Sequence, residues 1–181
     1  LYCIAAFADT TDEAVTLDLF LRSTPAELEY ASPERSITVP ATHPDVLAVG
    51  AVNWWSGALA SYSSRGPTID GRQKPDIGAP TGVSTVAYGP EGYGGTSAAA
   101  PHVAGGAALL ASQNDSLTAP EIANRLTETA QPTAGTGVEF NGDETFTDAD
   151  LPNTQVGTGL IDIEAAVDEG TPPVQPDPTI T

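Results

Sequence analysis

Ser97 stands where two glycines, Gly94 and Gly95, give way to Ala98-Ala99-Ala100-Pro101-His102-Val103-Ala104-Gly105. That run of small and apolar residues reads as a helix over 97–112, with Ser97 at its N-terminus. There the unpaired backbone N–H groups and the positive end of the macrodipole favour a developing anion. An acyl-transfer nucleophile needs this setting, because its tetrahedral oxyanion must meet donors already in place. A serine also needs a base within hydrogen-bond reach, held in turn by a third group. The chain has two histidines. His102 lies in the same helix, where five residues turn the axis by about 500°, so the two side chains diverge by about 140° and about 7.5 Å. It reads as a buried, hydrogen-bonded structural histidine. His43, followed by Pro44, reads as a turn residue. The residues therefore present a nucleophile without its base.

The elements that must position Ser97 follow from pattern. Val46–Val52 is apolar on both faces, as in a strand of a parallel sheet covered by helices. Ile37–Val39, Ala58–Ser63 and Gly82–Tyr88 are further strand candidates, with glycine and proline clusters at Gly66-Pro67 and Ala79-Pro80 between them. The serine helix has few polar residues and is expected to be buried all round. Its Gly105-Gly106 pair costs about 1 kcal/mol per residue against alanine, tolerable where a neighbouring backbone packs close. Thr118-Ala119-Pro120-Glu121 is a capping box with proline near the helix start, opening a helix to about Ala130 with Ile122, Leu126 and Ala130 on one face. Gly157–Ile161 and Asp162–Val167 read as a last strand and helix. The fold class is α/β.

Before residue 32 the character differs. Val15, Leu17, Leu19 and Leu21 alternate with Thr16, Asp18, Phe20 and Arg22, a period of two, and Leu1–Phe7 reads as a second strand. Two strands cannot form a stable sheet alone, so residues 1–31 look like the tail of a β-sandwich. Ser32-Pro33-Glu34-Arg35 is a turn and a boundary. Residues 170–181 are proline-rich and read as a linker. With no methionine and an opening that reads as mid-strand, the chain is expected to be part of a longer protein.

Twenty-four acids face six bases, for a net charge of −18. Residues 111–181 alone carry thirteen acids and one arginine, a net −12. Such a polyanion repels nucleic acid and anionic membranes, and basic patches are absent. No run is long and apolar enough for a membrane span. Acid-rich, lysine-poor composition with an ordinary apolar fraction resembles that of proteins from extreme halophiles, where salt screens the self-repulsion. A single cysteine, Cys3, excludes an internal disulfide and reads as a small strand hydrophobe. Asn141, Asp143, Glu144, Asp148 and Asp150 offer oxygen ligands, so calcium is possible, but their spacing fits no defined loop and a solvated loop is the simpler account.

From about Ile37 to Val167 the chain resembles the subtilisin-like serine peptidases, the subtilases. Ser61-Tyr62-Ser63-Ser64-Arg65-Gly66-Pro67 is similar to their Phe-Ser-Ser-x-Gly-Pro element. Lys74-Pro75-Asp76-Ile77-Gly78-Ala79-Pro80 is similar to Lys-Pro-Asp-x-x-Ala-Pro, residues 95–105 to the serine motif, and Gly157-Thr158-Gly159-Leu160-Ile161-Asp162 to a Gly-x-Gly closing strand. These stand in the family's order and spacing. The resemblance implies a subtilisin-like parallel sheet with helices on both faces, incomplete in this chain, with residues 32–169 as the C-terminal part of a catalytic domain and residues 1–31 from an inserted β-sandwich. It implies Ser97 as nucleophile of a secreted endopeptidase acting on protein or peptide substrates. The triad aspartate and histidine would lie upstream, since neither Asp-Thr/Ser-Gly nor His-Gly-Thr-His occurs here. It implies oxyanion support at Thr96 and Ser97, a cleft lined by Val39, Pro40 and Gly95, and a cis Val39–Pro40 bond. The family's oxyanion asparagine, from a Gly-Asn motif before Ile37, is absent. Trp54 and Trp55 either flank the cleft or pack. A catalytically inactive member serving as a binding or scaffold module is the other function compatible with these residues.

Overall fold

The computed structural model describes residues 18–20, 32–131 and 151–168. The chain divides into two units, Leu1–Ala31 and Ser32–Thr181. Of the first, Asp18, Leu19 and Phe20 are described; they are exposed and lie outside any strand. The other residues of the expected sandwich tail, and all of the 141–150 loop and the 170–181 linker, lie outside the described residues.

In the second unit, β1 (Val49–Asn53) and β2 (Ile77–Thr81) form a parallel pair in the register Val49↔Ile77 to Asn53↔Thr81. A short antiparallel hairpin follows, β3 (Val83–Thr85) and β4 (Gly89–Tyr93). It leads into α1 (Thr96–Gln113), then α2 (Ala119–Glu128) and α3 (Ile163–Asp168). Successive strand residues point to opposite faces. Ala51, Ile77 and Ala79 pack with Ala99, Val103 and Leu110 of α1, together with Leu126 and Ala166. On the other face Val52 joins Leu59 and Val156. Among the described residues this second face is covered by chain without helix, so α1 to α3 all belong to one side of the pair.

Side chains finish what the two strands leave open. Asp76 Oδ2 accepts the Ala48 N–H at 2.6 Å and the Lys74 ammonium at 2.6 Å, and Lys74 Nζ also donates to the Val46 carbonyl at 2.7 Å. The strand expected from Val46 begins at Val49: the Val46 N–H closes a turn onto the His43 carbonyl, and side chains take the Val46 carbonyl and the Ala48 N–H. At the free edge of β1, Ser63 Oγ accepts the buried Ala51 N–H at 3.0 Å, and the Ala60 N–H returns to the Ala51 carbonyl at 2.9 Å. Residues 58–63 thus fold back on β1 through one bridge, Val52↔Leu59, instead of forming a strand. Ile37–Val39 runs into a turn and is not a strand either. The closing segment contributes single bridges, Ile77↔Gly157 and Gly78↔Leu160. Gly157 has φ 60°, and a Cβ there would collide with the Asp76 carbonyl.

The serine helix is one residue longer at each end than its pattern predicts, and it is not buried all round. Ala98, Ala99, Val103, Gly106 and Leu110 face the core, while Ala100, Pro101, Ala104, Ala108 and Leu109 are exposed. Nor is the glycine pair explained by one close backbone. A Cβ on Gly106 would meet Ile163 Cγ1 at 3.2 Å and Leu126 Cδ2 at 3.3 Å, whereas one on Gly105 would meet nothing within 4 Å.

Candidate active site

Ser97 is exposed in the first turn of α1, immediately after Gly95, whose φ of 91° and ψ of 168° suit glycine alone. The Ala98 N–H turns back to the Gly95 carbonyl at 2.9 Å, and that of Ala99 at 3.4 Å. The N–H groups of Thr96 and Ser97 meet no acceptor among the described residues, as the first donors of a helix must unless something caps them. No acidic side chain occupies that first turn. The first turn of α1 itself therefore sets no carboxylate against an anion at its N-terminus.

Three hydroxyls frame the turn. Tyr62 Oη accepts the Gly95 N–H at 3.0 Å and lies 2.8 Å from Thr81 Oγ1, which reaches the Gly95 carbonyl at 3.2 Å. Tyr93 donates its O–H to the Ser97 carbonyl at 2.8 Å. That carbonyl would ordinarily accept from residue 101, but Pro101 has no N–H, so Tyr93 fills the gap. Sequence reasoning missed all three residues. The signals were present: a tyrosine in the place of the element's phenylalanine, and a proline four residues after the serine.

His102 is half-buried, and its Nδ1–H donates to the Ala98 carbonyl at 2.8 Å, along its own helix. His43 is exposed in a turn, where its Nδ1 accepts the Asp45 N–H at 3.2 Å and its backbone N–H donates to the Pro40 carbonyl at 2.9 Å. Both therefore serve local structure. Val39–Pro40 is a cis peptide, and Val39 is 83% exposed. Among the described residues no hydrogen bond joins that turn to residues 95–97. Trp54 and Trp55 meet edge to face at 6.1 Å, each about half exposed, and the ring of Trp55 covers Gly82. No cluster of three or more histidine, cysteine, aspartate or glutamate side chains that would hold a metal occurs among the described residues, and the candidate calcium ligands lie outside them. None of the described helices is long and apolar enough to cross a membrane.

Residues 29–158 match the model of the Subtilase family. The chain belongs to the subtilase family. It is 38% identical over 143 residues to bacillopeptidase F of Bacillus subtilis, covering 75% of this chain and 9% of that protein. Subtilisin E of the same species is 34% identical over 125 residues, covering 69% of this chain and 32% of the relative. The chain thus spans about a third or less of the length of these relatives. Among solved structures, the CspB protease of Clostridium perfringens superimposes with a TM-score of 0.59 at 27% identity, over 77% of this chain and 30% of that one. The subtilase fold, α/β with a parallel pair and packed helices, agrees with the class expected from sequence.

Proposed function

We propose that this chain is the serine-bearing part of a subtilase endopeptidase and that Ser97 is its nucleophile. The observation that carries this is an exposed serine at a helix N-terminus whose first two N–H groups have no acceptor among the described residues. In the reaction, Ser97 Oγ attacks the scissile carbonyl carbon while a base takes its proton. The N–H groups of Ser97 and Thr96 face the resulting oxyanion. Collapse expels the amine, which leaves with the proton, and water then hydrolyses the acyl-enzyme. Neither histidine of this chain can be that base, so the base comes from outside these 181 residues, and by the family's order of motifs its orienting aspartate does too. The substrates are proteins or peptides. Val39, Pro40 and Gly95 line the cleft.

Residues 32–169 form the catalytic portion, 1–31 the end of an inserted β-sandwich, and 170–181 a linker. A secreted protein of a salt-adapted organism accounts for the acid excess. The absent base favours one other reading, an inactive subtilase fold used for binding. One experiment separates the two. The full-length protein in molar salt is treated with a fluorophosphonate probe, with Ser97→Ala alongside. Labelling in the wild type and none in the variant supports the peptidase; equal labelling, or none in either, supports the inactive fold.

A further inference from the structure

The hydroxyls of Tyr62 and Thr81 close a ring through the backbone of Gly95, and its direction is fixed by which atoms carry protons. The Gly95 carbonyl can only accept, so Thr81 Oγ1 must donate to it across 3.2 Å. The hydroxyl of Thr81 has then spent its proton, so the Tyr62 O–H donates across the 2.8 Å to Thr81. The Gly95 N–H in turn donates to Tyr62 at 3.0 Å. Every donor is used once.

The N–H and the carbonyl of Gly95 belong to the two peptide planes on either side of its Cα. Holding both fixes the φ and ψ of the one residue here that must be glycine. The second plane also carries the Thr96 N–H, because a peptide unit is rigid. The Ala98 N–H at 2.9 Å and the Thr81 hydroxyl at 3.2 Å, which together hold the Gly95 carbonyl, therefore aim the Thr96 N–H and, one residue on, set where Ser97 enters the helix. Thr81 is suited to this role: it is the last residue of β2 and fully buried, so the sheet itself anchors the ring. Tyr62, in contrast, is 55% exposed, so the contacts of its hydroxyl, rather than burial of its ring, tie it to the turn.

We infer that Tyr62, acting through Thr81 and Gly95, is a positioning residue for the Ser97 nucleophile. This rests on the peptidase function proposed above. The phenylalanine of the family's corresponding element cannot supply the hydroxyl, so the ring belongs to sequences with tyrosine here and a hydroxyl at the end of β2.

The test uses the full-length protein and the rate at which a fluorophosphonate acylates Ser97. Tyr62→Phe should slow acylation about fivefold with the probe's binding constant unchanged, and the protein should still melt in one cooperative transition at a modestly lower temperature, as the loss of its hydrogen bonds requires. Thr81→Val should slow it similarly, and the double variant no further than the worse single one, because the ring opens only once. Thr81→Ser, which keeps the hydroxyl, should restore the rate; a purely packing role for Thr81 would not be rescued this way. Variants that acylate within about twofold of a labelled wild type overturn the inference alone. A wild type that does not label overturns the peptidase reading and this inference with it.

Discussion

At the scale of single residues, the turn before Ser97 is built by replacing backbone partners with hydroxyls. Pro101 deprives the Ser97 carbonyl of its helical donor, and Tyr93 restores one at 2.8 Å. The compensation makes a sharp prediction. Tyr93→Phe should cost about 0.5–1 kcal/mol of stability, the net worth of one hydrogen bond. In a Pro101→Ala background the helix supplies its own N–H, and the same substitution should cost close to nothing. A double-mutant cycle by thermal or urea unfolding decides it: equal costs in both backgrounds would mean that Tyr93 does not stand in for the proline's missing donor. Ser97 itself was legible because its meaning is local: glycines, then small residues, then a helix. Its frame was not, since Tyr62 and Thr81 lie 33 and 14 residues before Gly95 and meet it only through the fold.

At the scale of elements, legibility followed the presence of punctuation. α2 announces itself through its capping box, and Glu121 does accept the Thr118 N–H at 2.8 Å. β2 was unreadable because Ala79-Pro80 looks like a break. The strand tolerates Pro80 for a reason that only pairing reveals. Gly78 turns both its N–H and its carbonyl toward residues 159–161, away from β1. Pro80, two residues on, faces the same side, so its missing N–H costs β1 no partner. α1 failed differently. A helix of alanine and glycine has no side whose composition marks it as inward, so the buried face is chosen by what packs there. The two glycines at its middle test that choice. Gly105→Ala should stabilise the chain by about 0.5–1 kcal/mol through helix propensity. Gly106→Ala should yield no gain or a net loss, because Ile163 and Leu126 must give way first. Melting temperatures of the two variants check this, and a gain at Gly106 as large as at Gly105 would show that the α1–α2–α3 contact is loose.

At the scale of the whole molecule, charge dominates. A net −18 spread over 181 residues favours expansion unless ions screen it. Raising sodium chloride from about 0.1 M to about 1 M shortens the Debye length from about 10 Å to about 3 Å. The melting temperature should rise by several degrees over that range, and a flat or falling curve would remove the case for salt adaptation. Composition made this much legible without any structure. It could not show how sparingly positive charge is spent inside. Lys74, the only lysine in the sequence, is 4% exposed and tied to both Asp76 and the Val46 carbonyl. The folded second unit therefore offers no lysine to amine-directed chemistry such as cross-linking, ester labelling or lysine-coupled immobilisation. Such reagents reach this side chain only when its contacts with Val46 and Asp76, at the entry to β1 and β2, come apart, so the chain carries a built-in chemical reporter of its own opening.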